Sequence, residues 1–257
     1  MARPRPADAA HVLHDLHAAG SLFALEQSAG PFVRSWRGAR TSQVDPPMTR
    51  ERGGPWRKRT AEEVAPGAGQ RVRDLALQEF QAVKPDMAIE LRLLAGQGQA
   101  RRVDLMLEQD RTRRASANVH KFQKYDAFIT AWAMALDRYK ALGEPPIVLF
   151  VCEDSDKARQ FARAADEVVT GRIAKRGRPE FEWNHLGRKR MFFCAERDLH
   201  QGTLRCLKMP EWPPALRGQV EGRHGRKPPE RRELDFAQVG LLGGDDLVRK
   251  ARALLGG

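Results

Sequence analysis

The sequence predicts an α/β fold in which a mixed β-sheet is flanked by helices, and three stretches carry that expectation. Residues 86 to 110 alternate apolar and polar side chains through two runs joined by "AGQGQAR", the pattern of a β-hairpin. Residues 116 to 143 place Phe122, Tyr125, Ile129, Trp132, Leu136 and Tyr139 at helical spacing. "PPIVLFVCED" is then apolar without alternation, as a strand buried on both faces must be.

The elements follow in order. Residues 8 to 27 read as a helix with Val12, Leu13, Leu16 and Phe23 on its apolar side and Gly20 as a weak point. From 31 to 69, Gly, Pro and Arg accumulate, as in "DPPMTRERGGPWRKR", and a flexible insertion is expected. Residues 71 to 83 fit either a short helix or a strand. In the hairpin, Met87, Ile89, Leu91 and Leu93 share one face of the first strand, opposite Asp86, Glu90 and Arg92. On the second strand Val103, Leu105 and Leu107 oppose Asp104, Met106, Glu108 and Asp110, with Asp104 expected to face solvent.

Ser116 or Asn118 is placed to cap the long helix, and Gly143 to end it. A further helix over "SDKARQFARAADEVVTGRIA", capped by Ser155 or Asp156, precedes a strand at 190 to 198. Beyond Pro210 the chain turns Pro-rich and basic, with a short helix expected over 243 to 255. The organisation expected is therefore a core helix in 1–30, the insertion in 31–69, the α/β core in 70–209 and a basic extension in 210–257.

Composition narrows the function. The chain has 257 residues, 41% of them hydrophobic, enough to bury a core, and a net charge of +12 that favours a polyanionic partner such as nucleic acid. Cys152, Cys194 and Cys206 lack paired metal-ligand spacing and read as reduced core residues. No secretory leader or membrane-length apolar run is visible, so a cytoplasmic protein without membrane partners is expected. No Gly-rich phosphate loop follows a strand, which leaves nucleotide hydrolysis without support.

Chemistry concentrates in "RVDLMLEQDRT". Glu108 and Asp110 share a face two positions apart, and their repulsion must be relieved by a cation, a basic side chain or a raised pKa. An antiparallel hairpin brings Asp86 to the same sheet end as Glu108, an oxygen-rich pairing suited to Mg²⁺ or Mn²⁺. The following helix carries Lys121 and Tyr125 one turn apart, on the side that faces those carboxylates. The plainer reading has Glu108 and Asp110 as a strand end paired with Arg111, Arg113 and Arg114, Lys121 solvated and Tyr125 in the core. His11, His14 and His17 lie at i, i+3, i+6 on the first helix, either as a solvated face or with His11 projecting toward the site.

"PD" at Pro85–Asp86 and "EQD" at Glu108–Asp110 resemble the two halves of the PD-(D/E)xK nuclease motif, with Asp110 in place of its lysine. Some branches of that superfamily carry a Q-x-x-x-Y pattern on the next helix, and "KFQKY" at Lys121–Tyr125 looks like a K-x-x-x-Y version. Together with "HVLHDLHAAGSLFALE", "KPDMAIEL" and "PPIVLFVCED", these motifs resemble the bacterial replication-relaxation family of plasmids and mobile elements across about residues 8 to 208. The sequence departs from that family's pattern at Arg113, where a glycine is usual, and in lacking a full winged-helix domain upstream.

The resemblance implies a PD-(D/E)xK restriction-endonuclease-like core and a DNA-associated protein, acting as a Mg²⁺- or Mn²⁺-dependent nickase or nuclease if active. Asp86, Glu108 and Asp110 would hold the metal, with Asp110 alternatively a general base. Lys121 would stabilise phosphate charge and Tyr125 would orient. Loss of the strand lysine leaves a catalytically inactive DNA-binding accessory protein as the alternative, or a partner of a replication or conjugation initiator. Nucleic-acid contact is expected from Arg172, Lys175, Arg176, Arg178, Arg188, Lys189 and Arg190, with Trp183 either stacking on a base or buried in the core.

Overall fold

In the computed structural model the described residues are 6–64, 80–94, 100–111, 118–169, 173–175, 178–180, 186–202, 204–209 and 238–241. In chain order the strands are β1 (Val33–Gly38), β2 (Met48–Arg50), β3 (Trp56–Lys58), β4 (Met87–Leu94), β5 (Ala100–Asp110), β6 (Ile147–Cys152), β7 (Ile173–Lys175), β8 (Arg178–Glu180), β9 (Met191–Ala195), β10 (Arg205–Lys208) and β11 (Gln238–Gly240). The α-helices are α1 (Pro6–Ala29), α2 (Ala61–Val64), α3 (Val119–Ala127), α4 (Asp137–Leu142), α5 (Ser155–Val169), α6 (Leu186–Arg190) and α7 (Glu196–His200). Seven strands form one mixed sheet in the order β1-β4-β5-β6-β9-β10-β11. β1, β4 and β5 pair antiparallel, while β5, β6 and β9 run parallel.

The hairpin forms as its alternation requires, with Met87 opposite Leu107 and Leu91 opposite Val103. Met87, Ile89, Leu91, Val103, Leu105 and Leu107 point into one apolar layer, which α1 covers. Met106, Val148 and Phe150 point into the other, beneath α3 and α5. β6 is buried at all six positions because it lies between two parallel neighbours and two helical layers. Phe122 of α3 makes edge contacts with Phe150, Phe161 and Phe193, pinning that helix to the sheet. Cys152, Cys194 and Cys206 are buried free thiols.

Several elements depart from expectation, each for a packing reason. Between 31 and 64 the chain is not irregular: β1 supplies an edge strand of the main sheet, and β2 and β3 form a separate hairpin. Ser35 and Trp36 of β1 are exposed, so the strand lacks the apolar face that periodicity detects. The apolar side expected for α1 faces outward, with Val12 58%, Leu16 64% and Phe23 63% exposed. The buried face is made instead by Leu22 and Leu25 with small residues between them, Ala18, Ser21, Ala24, Ser28 and Ala29.

The helix expected over 116 to 143 is broken. α3 passes through a π-helical turn at Phe128–Trp132 and a short 3₁₀ turn, Leu136 adopts extended backbone, and α4 restarts at Asp137. The restart keeps Tyr139 in the core and turns Arg138 toward Asp104. Gly143 ends α4 in the left-handed region at φ 76°, a conformation glycine adopts without strain. At the start of α5 the capping side chain is Asp154, whose carboxylate accepts the Lys157 N–H at 2.7 Å. β11 adds an edge strand within the extension expected from 210 onward. Apart from Leu241, the rest of that extension, including 243 to 255, lies outside the described residues, as do 71 to 79. No described helix is long and apolar enough to cross a membrane.

Candidate functional site

β5 carries carboxylates at three alternate positions on one face, and they meet different fates. Asp104, expected in solvent, is 1% exposed and forms a two-point ion pair with Arg138. Arg37 from β1 approaches the same carboxylate at 3.7 Å. Glu90, directly across on β4, is shared among Arg102 at 2.7 Å, Arg34 at 3.3 Å and Arg138 at 3.6 Å. This end of the sheet is a guanidinium–carboxylate clamp.

At the other end, Glu108 is also 1% exposed but meets no guanidinium among the described residues. Lys121 Nζ donates to its Oε2 at 2.6 Å, and the Tyr125 hydroxyl donates to its Oε1. The helical spacing of these two residues therefore places both on one carboxylate, as their one-turn separation suggested. Burial pushes the Glu108 carboxyl up to about 7, with the Asp86 charge adding to the rise, against the pull of Lys121 and Tyr125. Burial of the Lys121 ammonium works to lower it, but the charge and hydrogen bond of Glu108, joined by the Asp86 and Asp110 charges, together raise it above its ordinary range. Burial beside Glu108 also holds the Tyr125 hydroxyl well above the usual phenol range, so it acts as a neutral donor.

Asp86 reaches this end as the hairpin register requires. It stands just before β4, and its Oδ2 accepts the Gln109 backbone N–H at 2.8 Å. Burial raises its carboxyl, while that hydrogen bond, His14 and Lys121 restrain the rise. Asp110 is not part of the pair in the way expected: its Oδ1 accepts from the Asn118 side chain at 3.0 Å, which uses Asn118 as a tie to β5 in place of a helix cap. Arg111, one of the arginines expected to neutralise Glu108 and Asp110, instead reaches Glu196 at 3.2 Å. Arg113 and Arg114 lie outside the described residues.

α1 adds a residue that spacing did not single out from its neighbours. His14 Nε2 sits 3.2 Å from the Gln109 carbonyl and 3.5 Å from Asp86 Oδ2, so the ring bridges α1 to the site. His17, three residues on, turns to Glu196 at 2.6 Å and belongs to the α1–α7 contact. The side chain of His11 is outside the described residues. A second tie comes from Ser21, whose Oγ donates to Gln109 Oε1 at 2.8 Å.

Oxygen from Asp86, Glu108 and the Gln109 carbonyl is the donor chemistry that Mg²⁺ or Mn²⁺ prefers. The arrangement is not a ready ligand cage, because Glu108 is engaged by Lys121 and Tyr125, and Asp110 by Asn118. Among the described residues no three His, Cys, Asp or Glu side chains gather where they could hold a metal ion.

The basic residues expected to contact nucleic acid are dispersed. Arg188 is 2% exposed and buried against Asp166, so its guanidinium is withdrawn from solvent. Arg190 pairs with Glu144, while Lys189 is exposed. Lys175 and Arg178 lie on β7 and β8, a small hairpin of its own, and Arg172, Arg176 and Trp183 lie outside the described residues. Comparison of the chain with family models, with curated proteins and with solved structures finds no match.

Proposed function

We propose that the chain is a DNA-associated protein whose hairpin end is a nuclease-type site, acting on the phosphodiester backbone. The observation that carries this reading is the meeting of Asp86, Glu108, Lys121 and Tyr125 at one end of β4 and β5. Two carboxylates of raised pKa beside one ammonium and one phenol can hold a proton, orient a water and offset phosphate charge. Support for a PD-(D/E)xK-like core comes from the element order, in which a helix precedes three antiparallel strands, a second helix and a parallel strand. The likeness to the replication-relaxation family, and with it a role on plasmids or mobile elements, rests on the sequence motifs alone. A Mg²⁺ or Mn²⁺ ion, if used, would be held by Asp86 and Glu108 and would supply Lewis acidity toward a phosphoryl oxygen.

A second reading has a specific observation in its favour. Both oxygens of Glu108 and one of Asp110 are already bonded within the protein, as in a fold that keeps its polar core after losing turnover. On that reading the chain is an inactive DNA-binding accessory protein, or a partner of a replication or conjugation initiator. Nicking of supercoiled plasmid with Mg²⁺, Mn²⁺ or EDTA separates the two. Metal-dependent nicking abolished by Asp86→Ala and by Glu108→Ala is the expected result. DNA binding without nicking, unchanged by EDTA or either substitution, would assign the second reading.

A further inference from the structure

At the far end of β4 from Asp86, about 20 Å along the strand by its rise of roughly 3.4 Å per residue, arginines gather around a recess. It has a volume of about 510 Å³ and is lined by Pro31, Phe32, Val33, Arg34, Arg92 and Arg102. The hairpin register sets Arg92 directly opposite Arg102, a like-charge cross-strand pair that is unfavourable unless an anion relieves it. Register shifts between Val33 and Ser35, and the irregularity turns Arg34 toward the same side, where it reaches Glu90.

The local charges do not balance. Arg102 and Arg34 share the single carboxylate of Glu90 with Arg138, and Arg138 and Arg37 share Asp104. Arg92 is exposed and has no acidic partner among the described residues. Across this network five guanidiniums stand against two carboxylates, and three of the five, Arg34, Arg92 and Arg102, line the recess with Glu90 as the carboxylate that Arg34 and Arg102 share. Guanidinium forks match the paired oxygens of a phosphate better than any other side chain does.

We propose that this recess is a phosphate-binding site that seats one phosphodiester of a nucleic-acid backbone. The choice of nucleic acid rests on the DNA-binding reading above and on the net charge of +12. Arg92 supplies the free guanidinium, and Arg34 and Arg102, both held by Glu90, fix the wall beside it and offer their remaining N–H groups. Because the contact is to the backbone, it positions the duplex without selecting sequence.

The test uses the full chain, with Arg92→Gln and the Arg34→Gln/Arg92→Gln pair beside Arg163→Gln, an exposed arginine on α5 remote from the recess. Binding of a fluorescein-labelled duplex is followed by anisotropy across a KCl series, and inorganic phosphate is titrated while the arginine Nε–H signals are followed by NMR. The double variant is expected to lose about tenfold or more in affinity and to lower the slope of log K against log[salt] by about 1 to 2, with Arg163→Gln close to wild type. Equal affinity and slope for wild type and double variant overturn the site. If the duplex does not bind at all while phosphate shifts the Arg34 and Arg92 signals, the DNA reading falls and the recess stands as a site for small phosphorylated molecules. Binding of phosphatidylserine vesicles through these arginines, with no duplex binding, overturns the nucleic-acid assignment. Nicking activity does not enter, so a failure of the candidate catalytic site leaves this result interpretable.

Discussion

Asp104 and Glu108 lie four residues apart on one face of one strand, equally buried, and differ only in who meets them. Asp104 faces Arg138 and Arg37, whose guanidiniums hold their charge at any accessible pH, so that end of β5 is a fixed ion network. Glu108 faces an ammonium and a phenol, which together fall short of compensating its burial, and its proton becomes negotiable near neutrality. A buried carboxylate is therefore not by itself a sign of chemistry. The partner type decides whether it is a clamp or a candidate acid–base.

The largest expected effect is at the clamp. Asp104→Ala leaves Arg138 and Arg37 facing a buried void and should destabilise the fold by about 3 kcal/mol in urea unfolding. A loss below about 1 kcal/mol would mean that Glu90 takes over both guanidiniums and that the two ends differ less than their geometry suggests. Next is the pH dependence of Glu108. Its carboxyl rises from an ordinary 4.5 to about 7 on folding, so its contribution to stability is full below pH 4.5 and is lost as pH climbs through about 7. The change is at most about 3 kcal/mol, and Glu108→Gln should remove it. The stability difference between variant and wild type must then shift in the variant's favour from pH 5 to 8; a flat difference would put Glu108 in the same class as Asp104.

Tyr125→Phe sharpens the contrast further. Losing a hydrogen bond to the charged carboxylate costs about 2 kcal/mol when that form is present and should push the Glu108 carboxyl higher still, which a ¹³C carboxyl titration reads directly. The smallest effect is expected at Arg101, whose bond to Glu144 is exposed on the guanidinium side. Arg101→Ala should change stability by less than about 1 kcal/mol, marking the limit at which surface pairing stops mattering.

The hairpin was legible because alternation and register are local: once Met87 pairs with Leu107, Asp86 must stand beside Glu108. Lys121 and Tyr125 were legible for the same reason, since one helical turn fixes their side. What spacing could not reveal was distant closure. Asp104 reads as a solvent residue until Arg138 arrives from 34 positions later, on the restarted helix. Spacing points to His11 as the histidine nearest the site, and only the packing of α1 across the sheet brings His14 there instead. β1 escaped because an edge strand with exposed Ser35 and Trp36 leaves no apolar alternation to find.

The parallel pairing of β5 with β6 has a consequence for how the site comes into being. The β4–β5 hairpin is a local contact and can close early, but β6 can join only after the chain from Arg111 to Pro146 has crossed over the sheet and α3 has docked. Until that crossover is complete, Glu108 is a wet carboxylate of ordinary acidity. Between pH 4.5 and 7 the docking of α3 therefore draws a proton out of the solvent, and a weakly buffered refolding reaction carrying a pH indicator should report it as a late alkaline drift. The raised carboxyl of Glu108 thus comes with the burial that α3 completes, not with the hairpin that carries it.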